Sequence, residues 1–228
     1  MMKRLLSLYP YVAPAILTPL GCWLWWRHYG GDARLVLLAL GTPILFAYIV
    51  PGIGTNLLKV WEFDARLKLG RFRPQHGFVF GSATAILMLP VMGVPQPAAG
   101  LADVLLAGFI AACVLGFVNW IYDIAAIRAG ILKVYNQPHA DGLGPEAIAA
   151  DYAPWFFGGF GLCYGAGLRL SERLLIGTPG WLLAVLLLLG MTAASVVLPT
   201  LAYAGSSWRK HGHSGCRPVH RHGPEEPA

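Results

Sequence analysis

The chain has 228 residues, of which 56% are hydrophobic and 12% are charged, and its formal net charge is +6. Soluble domains carry about 25% charged residues, so a soluble domain of this length would lack the charges needed to cover its surface. The composition excludes an ordinary soluble enzyme, a disordered chain and a nucleic-acid-binding module, and it predicts an all-α integral membrane protein with several spans.

Six charge-poor segments are each apolar enough to cross a membrane, which needs about 20 mainly apolar residues. The fifth is short and rich in glycine, and Asp123 interrupts the fourth near its end. We predict a six-helix transmembrane domain over residues 1–205 and a disordered, basic, His-rich tail over residues 206–228. The predicted spans cover residues 5–26, 35–58, 77–94, 104–127, 152–168 and 174–203.

The distribution of lysine and arginine predicts the orientation, because these residues are enriched in cytoplasmic loops. With the N-terminus in the cytoplasm, all but four of the 17 basic residues fall on the cytoplasmic side. Both termini are therefore expected in the cytoplasm, and the chain is expected in the cell membrane, the inner membrane if its source is bacterial. The basic residues then face anionic lipid headgroups rather than nucleic acid. The four on the outer side are Arg27, Arg34, Arg169 and Arg173.

Two long loops, 59–76 and 128–151, lie on the predicted cytoplasmic side. From Asn56 to His76 and from Asn119 to His139, the chain presents Asn, Asp, Arg, Gly and His in a similar order. This likeness fits an old duplication of a two-span hairpin whose loops meet at one site, and it also fits coincidence in a chain with 28 Gly and 17 Pro. The second loop ends in Pro145, Glu146 and Ala147, a combination typical of a helix start.

A GxxxG motif follows each loop. The motifs are Gly77 with Gly81 and Gly161 with Gly165. In lipid this spacing lets two helix backbones approach closely. The motifs predict contacts to a second copy of the chain or to other subunits of a membrane complex.

Asn119 and Asp123 are four residues apart, so they project from one face of the fourth span near its cytoplasmic end. An ionisable residue in a membrane segment is costly and usually functional. The neighbouring Trp120 and Tyr122 also allow a simpler interpretation as part of an aromatic belt at the interface. In the functional interpretation Asp123 and Asn119 are catalytic, and Asp64 supplies a second carboxylate that holds Mg²⁺ for a diphosphate substrate.

The first long loop offers further candidates. Glu62 with Arg66 and Asp64 with Lys68 are i,i+4 pairs, which are also typical of a helix lying on the membrane surface. The arginines of this loop suit a phosphate or carboxylate, which a guanidinium binds bidentately. His76 is a candidate general acid or base. We assign substrate binding to Arg66, Arg71, Arg73, Arg128 and His139.

The tail combines four histidines and one cysteine within twelve residues. These ligand types suit Cu, Ni or Zn, although their spacing matches no structural zinc pattern. Glycine, proline and serine between them predict disorder. The candidate metal ligands are His211, His213, Cys216, His220 and His222.

The spans carry no acidic or basic residue at mid-bilayer depth, which argues against an ion-coupled pump. The sequence also lacks the P-loop, GxSxG and HExxH motifs. Because the polar groups gather at one interface, we favour an enzyme acting on a lipid or isoprenoid substrate there, with membrane lipids and a hydrophobic or amphiphilic small molecule as partners. The alternatives are a small transporter or channel subunit, for metal ions in one version, and a structural subunit of a membrane complex.

Overall fold

Helices make up 74% of the structure, a computed structural model that describes residues 8–65 and 67–220. Within these residues three helices are long and apolar enough to cross a membrane: Ala33–Leu57, Leu101–Arg128 and Leu182–His211. The helix His76–Met92 is apolar but shorter. The all-α class is confirmed, and the long apolar helices fit a membrane protein.

The described part of the chain forms seven helices. The sixth is continuous through Pro145–Ala153, a π-helical turn Pro154–Gly158 and Gly159–Leu175, so it extends beyond both ends of the predicted fifth span. Its start at Pro145 confirms the helix start predicted there. In chain order the helices are α1 (8–28), α2 (Ala33–Leu57), α3 (His76–Met92), α4 (Leu101–Arg128), α5 (Gln137–Ala140), α6 (145–175) and α7 (Leu182–His211).

Local signals explain several helix ends. The Asp32 carboxylate accepts the amide of Arg34 at the start of α2, at 3.0 Å, which satisfies a donor that the helix leaves unpaired. Helix α7 ends at Gly212, whose φ of 75° lies in the left-handed region that glycine adopts without strain. Pro145 is the first residue of α6, where its fixed φ suits the helix and its missing N–H costs nothing.

An antiparallel pair of short strands joins the two long loops. β1 is Trp61–Phe63 and β2 is Leu132–Val134, with Trp61 opposite Val134. The pairing continues through the Asp64 amide, which donates to the Ile131 carbonyl at 2.8 Å. The loops therefore meet at one end of the bundle, which we call the ribbon end. The alternative of a surface helix starting at Trp61 is wrong, because pairing with β2 holds residues 61–64 extended.

The first GxxxG motif packs α3 against α2. A Cβ atom on Gly81 would lie 2.9 Å from backbone atoms of Ile44, and one on Gly77 would overlap the Tyr48 ring. Only glycine allows this approach.

The second motif packs α6 against α4. Cβ atoms on Gly161 and Gly165 would lie 2.5 and 2.6 Å from the carbonyl oxygens of Ala111 and Ala107. Both GxxxG faces are thus covered within one chain. They are not free for the expected contact with a second chain, so an oligomer, which stays a prediction, needs another surface.

A buried ion pair holds the opposite end of the bundle. Arg169 and Glu172 of α6 are 4% and 0% exposed, and their charged atoms are 2.5 Å apart. Arg169 donates to the carbonyl of Met92 at the end of α3. Glu172 accepts the Tyr29 hydroxyl at 3.1 Å and the Gln96 amide at 2.9 Å. The pair therefore ties α6 to the ends of α1 and α3.

The tail begins later than predicted. Residues 206–211 continue α7 rather than starting a disordered segment, and the His211 Nε2 lies 3.0 Å from Oδ1 of Asp151. Further on, the Val219 amide donates to the Tyr135 carbonyl at 2.9 Å. Residues 212–220 thus contact the second long loop, and His222 lies outside the described residues.

Candidate functional site

A cavity of about 150 Å³ lies at the ribbon end, enclosed by α1 to α4, the two strands and α6. Most of its wall is apolar or aromatic, with contributions from Phe46 of α2 and Phe80 of α3. The π-helical turn of α6 contributes Phe156 and Phe157. Several polar side chains converge on this apolar space, as in small-molecule sites generally. They are Tyr9, Arg73, His76, Thr84, Asn119, Tyr122, Asp123 and Tyr152.

Asp123 is the best-defined polar group of the cavity. It is 8% exposed, and its Oδ2 accepts the hydroxyl of Tyr152 at 2.5 Å. Tyr152 is itself 4% exposed and comes from α6, which packs against α4. One turn before Asp123, the Asn119 side chain donates to the Leu115 carbonyl at 2.8 Å. Both members of the predicted Asn/Asp pair therefore line one cavity.

Arg73 is the second charged group, and it is 2% exposed. Its guanidinium carbon lies 4.4 Å from the ring centroid of Phe63, and its Nη2 lies 3.2 Å from Nδ1 of His76. Its Nε has no hydrogen-bond partner within the described chain. Burial lowers the pKa of the guanidinium, while Tyr122 and Asp123 nearby oppose that shift.

His76 has a defined tautomer at this contact. Arginine can only donate, so Nδ1 of His76 accepts from Arg73. A neutral imidazole then carries its hydrogen on Nε2. The ring lies 4.7 Å from the Phe63 ring, centroid to centroid, so β1 and α3 hold it in place.

Asp64 does not join Asp123. Its side chain is exposed and is not part of the cavity lining, because the strand pairing fixes Asp64 at the edge of the ribbon. Across residues 8–65 and 67–220, no group of three or more His, Cys, Asp or Glu residues is placed to hold a metal. The predicted Mg²⁺ site thus lacks its second carboxylate.

The remaining predicted substrate-binding residues lie away from the cavity. The Arg71 guanidinium donates to the Lys59 carbonyl at 3.4 Å, and exposed Arg128 forms an ion pair with exposed Glu146. His139 lies in α5 beside the second strand rather than in the cavity wall. Arg66 falls outside the described residues.

Two tail histidines contact the second long loop. Nε2 of His211 lies 3.0 Å from Oδ1 of Asp151, and Nε2 of His213 lies 3.2 Å from the side-chain oxygen of Gln137. Cys216 lines a second, apolar cavity of about 250 Å³ between α2, α6 and α7. The described tail residues do not gather as a metal site, so a metal role stays a prediction for His211, His213, Cys216, His220 and His222.

Tyr152 lines the cavity and contacts Asp123, although the sequence did not single it out as a site residue. It follows Asp151 at the start of the predicted fifth span, where it resembles an ordinary interface tyrosine. Its hydrogen bond to Asp123 depends on α4 packing against α6, because the two residues are 29 positions apart in sequence. A polar aromatic residue at the start of a glycine-rich span was the available signal.

Comparisons of the chain with protein families, with curated proteins and with solved structures found no match in any of the three. The geometry of the cavity therefore carries the functional inference.

Proposed function

We propose that the chain is a membrane-embedded enzyme that acts on a lipid or isoprenoid amphiphile at the cytoplasmic end of a six-helix bundle. The observation that carries this proposal is the buried Asp123–Tyr152 hydrogen bond inside an otherwise apolar cavity. A purely structural pair would be expected to be covered by packing, whereas this one borders open space.

The pair suits general acid–base chemistry. The Tyr152 hydroxyl donates to Oδ2 of Asp123 at 2.5 Å and so fixes the carboxylate's position, while Asp123 takes a proton from the substrate or returns it. A positioned acid–base group typically accelerates a reaction by about 10²–10⁴-fold. His76, at the Arg73 end of the same cavity, is available for a second proton transfer.

The cavity has a route to the bilayer. Val118 of α4 lines it and is also 39% exposed on an apolar outer surface that includes Phe117 and Ile121. In a membrane this surface faces acyl chains. An amphiphile can therefore enter sideways between helices, with its head toward Arg73 and Asp123 and its chain in the lipid.

The six-span arrangement makes a direct topological prediction. Reporter domains fused in the loop at 65–70, in the loop at 141–144 and after residue 211 should all report the cytoplasm, and fusions at 29–32, 95–99 and 177–180 should report the outer side. Paired phosphatase and fluorescent-protein fusions measure this. A C-terminus on the outer side would overturn the six-span arrangement.

Comparison of lipid extracts tests the enzyme proposal. We expect cells that lack the protein to accumulate a precursor amphiphile and to lose its product, as measured by mass spectrometry. A chain ending at residue 211 should restore the product, because residues 212–220, the part of the remaining tail that the structure describes, do not line the first cavity. Unchanged lipids in the absence of the protein would contradict the proposal, and a requirement for the tail and a metal ion would favour the transporter alternative.

A further inference from the structure

Arg73 lacks the close ion pair that a buried guanidinium ordinarily forms, although Tyr122 and Asp123 lie near enough to favour its charged form. It is 2% exposed, and no ion pair of the described residues includes it. Its Nε is buried without an acceptor and belongs to a side chain that lines the cavity. Buried charges are normally paired, because an unpaired one loses its hydration without compensation. An acceptor bound in the cavity would supply the contact that Nε of Arg73 lacks.

The geometry restricts that acceptor to a compact acidic group. The guanidinium is planar and offers parallel donors that match the two oxygens of a carboxylate or of one phosphate. Phe63 covers one face of it and His76 takes one donor. The edge that includes Nε remains for the ligand.

The charged groups of the cavity favour a single acidic group over a diphosphate head. Arg73 is the one lysine or arginine among the described lining residues, and the Asp123 carboxyl group lines the same space. A diphosphate commonly binds with Mg²⁺ held by carboxylates, and Asp123 is the one carboxylate among the described lining residues. Asp64, which would have supplied the second carboxylate, lies outside the cavity.

We infer that the cavity selects a single-chain amphiphile whose head is one compact acidic group, a carboxylate or a phosphate monoester, held by Arg73. This inference rests on the proposed function and narrows its substrate class. The apolar walls and the exposed Val118 side accommodate the first carbons of the chain.

Binding measurements on the full chain in phosphatidylcholine nanodiscs test the inference, with protein-free nanodiscs as the background. The probes are oleate, oleyl phosphate, oleyl alcohol, and farnesyl diphosphate with Mg²⁺. We expect oleate or oleyl phosphate to bind about tenfold more tightly than the alcohol, the gain typical of a charge-assisted hydrogen bond. The two acids distinguish a carboxylate head from a phosphate head.

Two arginine variants identify the residue responsible. Arg73→Gln should remove the preference for the acid over the alcohol, and Arg73→Lys should retain part of it. The matched control is Arg71→Gln, which removes an arginine of the same loop that does not line the cavity and should leave the preference intact. If Arg73→Gln fails to fold, the comparison of acid with alcohol on the native chain still tests whether the cavity prefers an acidic head group.

Three results would overturn the inference: equal binding of acid and alcohol, tightest binding of farnesyl diphosphate, or the same loss in Arg71→Gln as in Arg73→Gln. The results that contradict the enzyme proposal differ from those that contradict the head-group assignment. A preference for the acid without any change in cellular lipids would leave the head-group assignment standing and remove the catalytic role.

Discussion

Replacing Asp123 with asparagine should lower turnover at least about a hundredfold, since that is the smallest effect typical of a lost acid–base group. The variant keeps the size of the side chain and an oxygen that can accept from Tyr152, so expression and the unfolding temperature should change little. The rate at which membranes convert the precursor identified from lipid extracts measures the effect.

Asp64→Asn is the matched control, because it removes a carboxylate at the same end of the bundle that does not line the cavity. Its turnover should remain that of the native protein. Full activity in Asp123→Asn would end the acid–base proposal, and a comparable loss in Asp64→Asn would restore the two-carboxylate arrangement that the structure lacks.

The largest effect on stability is expected where α6 crosses α4. The double variant Gly161→Ala with Gly165→Ala places two methyl groups against the backbone oxygens of Ala111 and Ala107. Overpacking of this kind costs about 1–3 kcal/mol for each site, so the helices must separate. The unfolding temperature in detergent should fall sharply, as followed by circular dichroism.

Gly190→Ala in α7 provides the comparison. A Cβ atom there meets nothing within 4 Å, so only the helix propensity changes, and alanine is favoured over glycine by about 1 kcal/mol. This control should unfold at the same temperature or slightly higher. Equal behaviour of the control and the double variant would mean that the close α4–α6 approach is absent in the folded protein.

Sequence reasoning located the helices well because hydropathy is a local property. Helices occur in each predicted span, and four predicted site residues, Arg73, His76, Asn119 and Asp123, line one cavity. The Asn/Asp pair could be predicted because residues four apart share a helix face. Arg73 and His76 could be predicted only as loop candidates, since their place in the cavity depends on where the loop folds.

The predictions that differ from the structure share a cause, which is contact between segments that are distant in sequence. The i,i+4 charge pairs near Asp64 favoured a helix, but pairing of β1 with β2 makes the segment extended and turns Asp64 away from the cavity. The sequence likewise indicates only an outer-side charge at Arg169, because the Met92 carbonyl that accepts from it is remote in sequence. No local pattern contains that information.

Helix α3 is shorter than a typical membrane span. It has 17 residues, which at 1.5 Å per residue gives about 26 Å, less than the roughly 30 Å of a typical hydrocarbon core. Arg169 covers the Met92 carbonyl at its end, so the short helix needs no headgroup water there. Neighbouring helices cover most of α3, whose exposed residues are Phe78 and Pro90, so protein contacts rather than lipid surround the short helix. Because α3 also lines the cavity, this part of the cavity wall is held by protein contacts and does not depend on bilayer thickness.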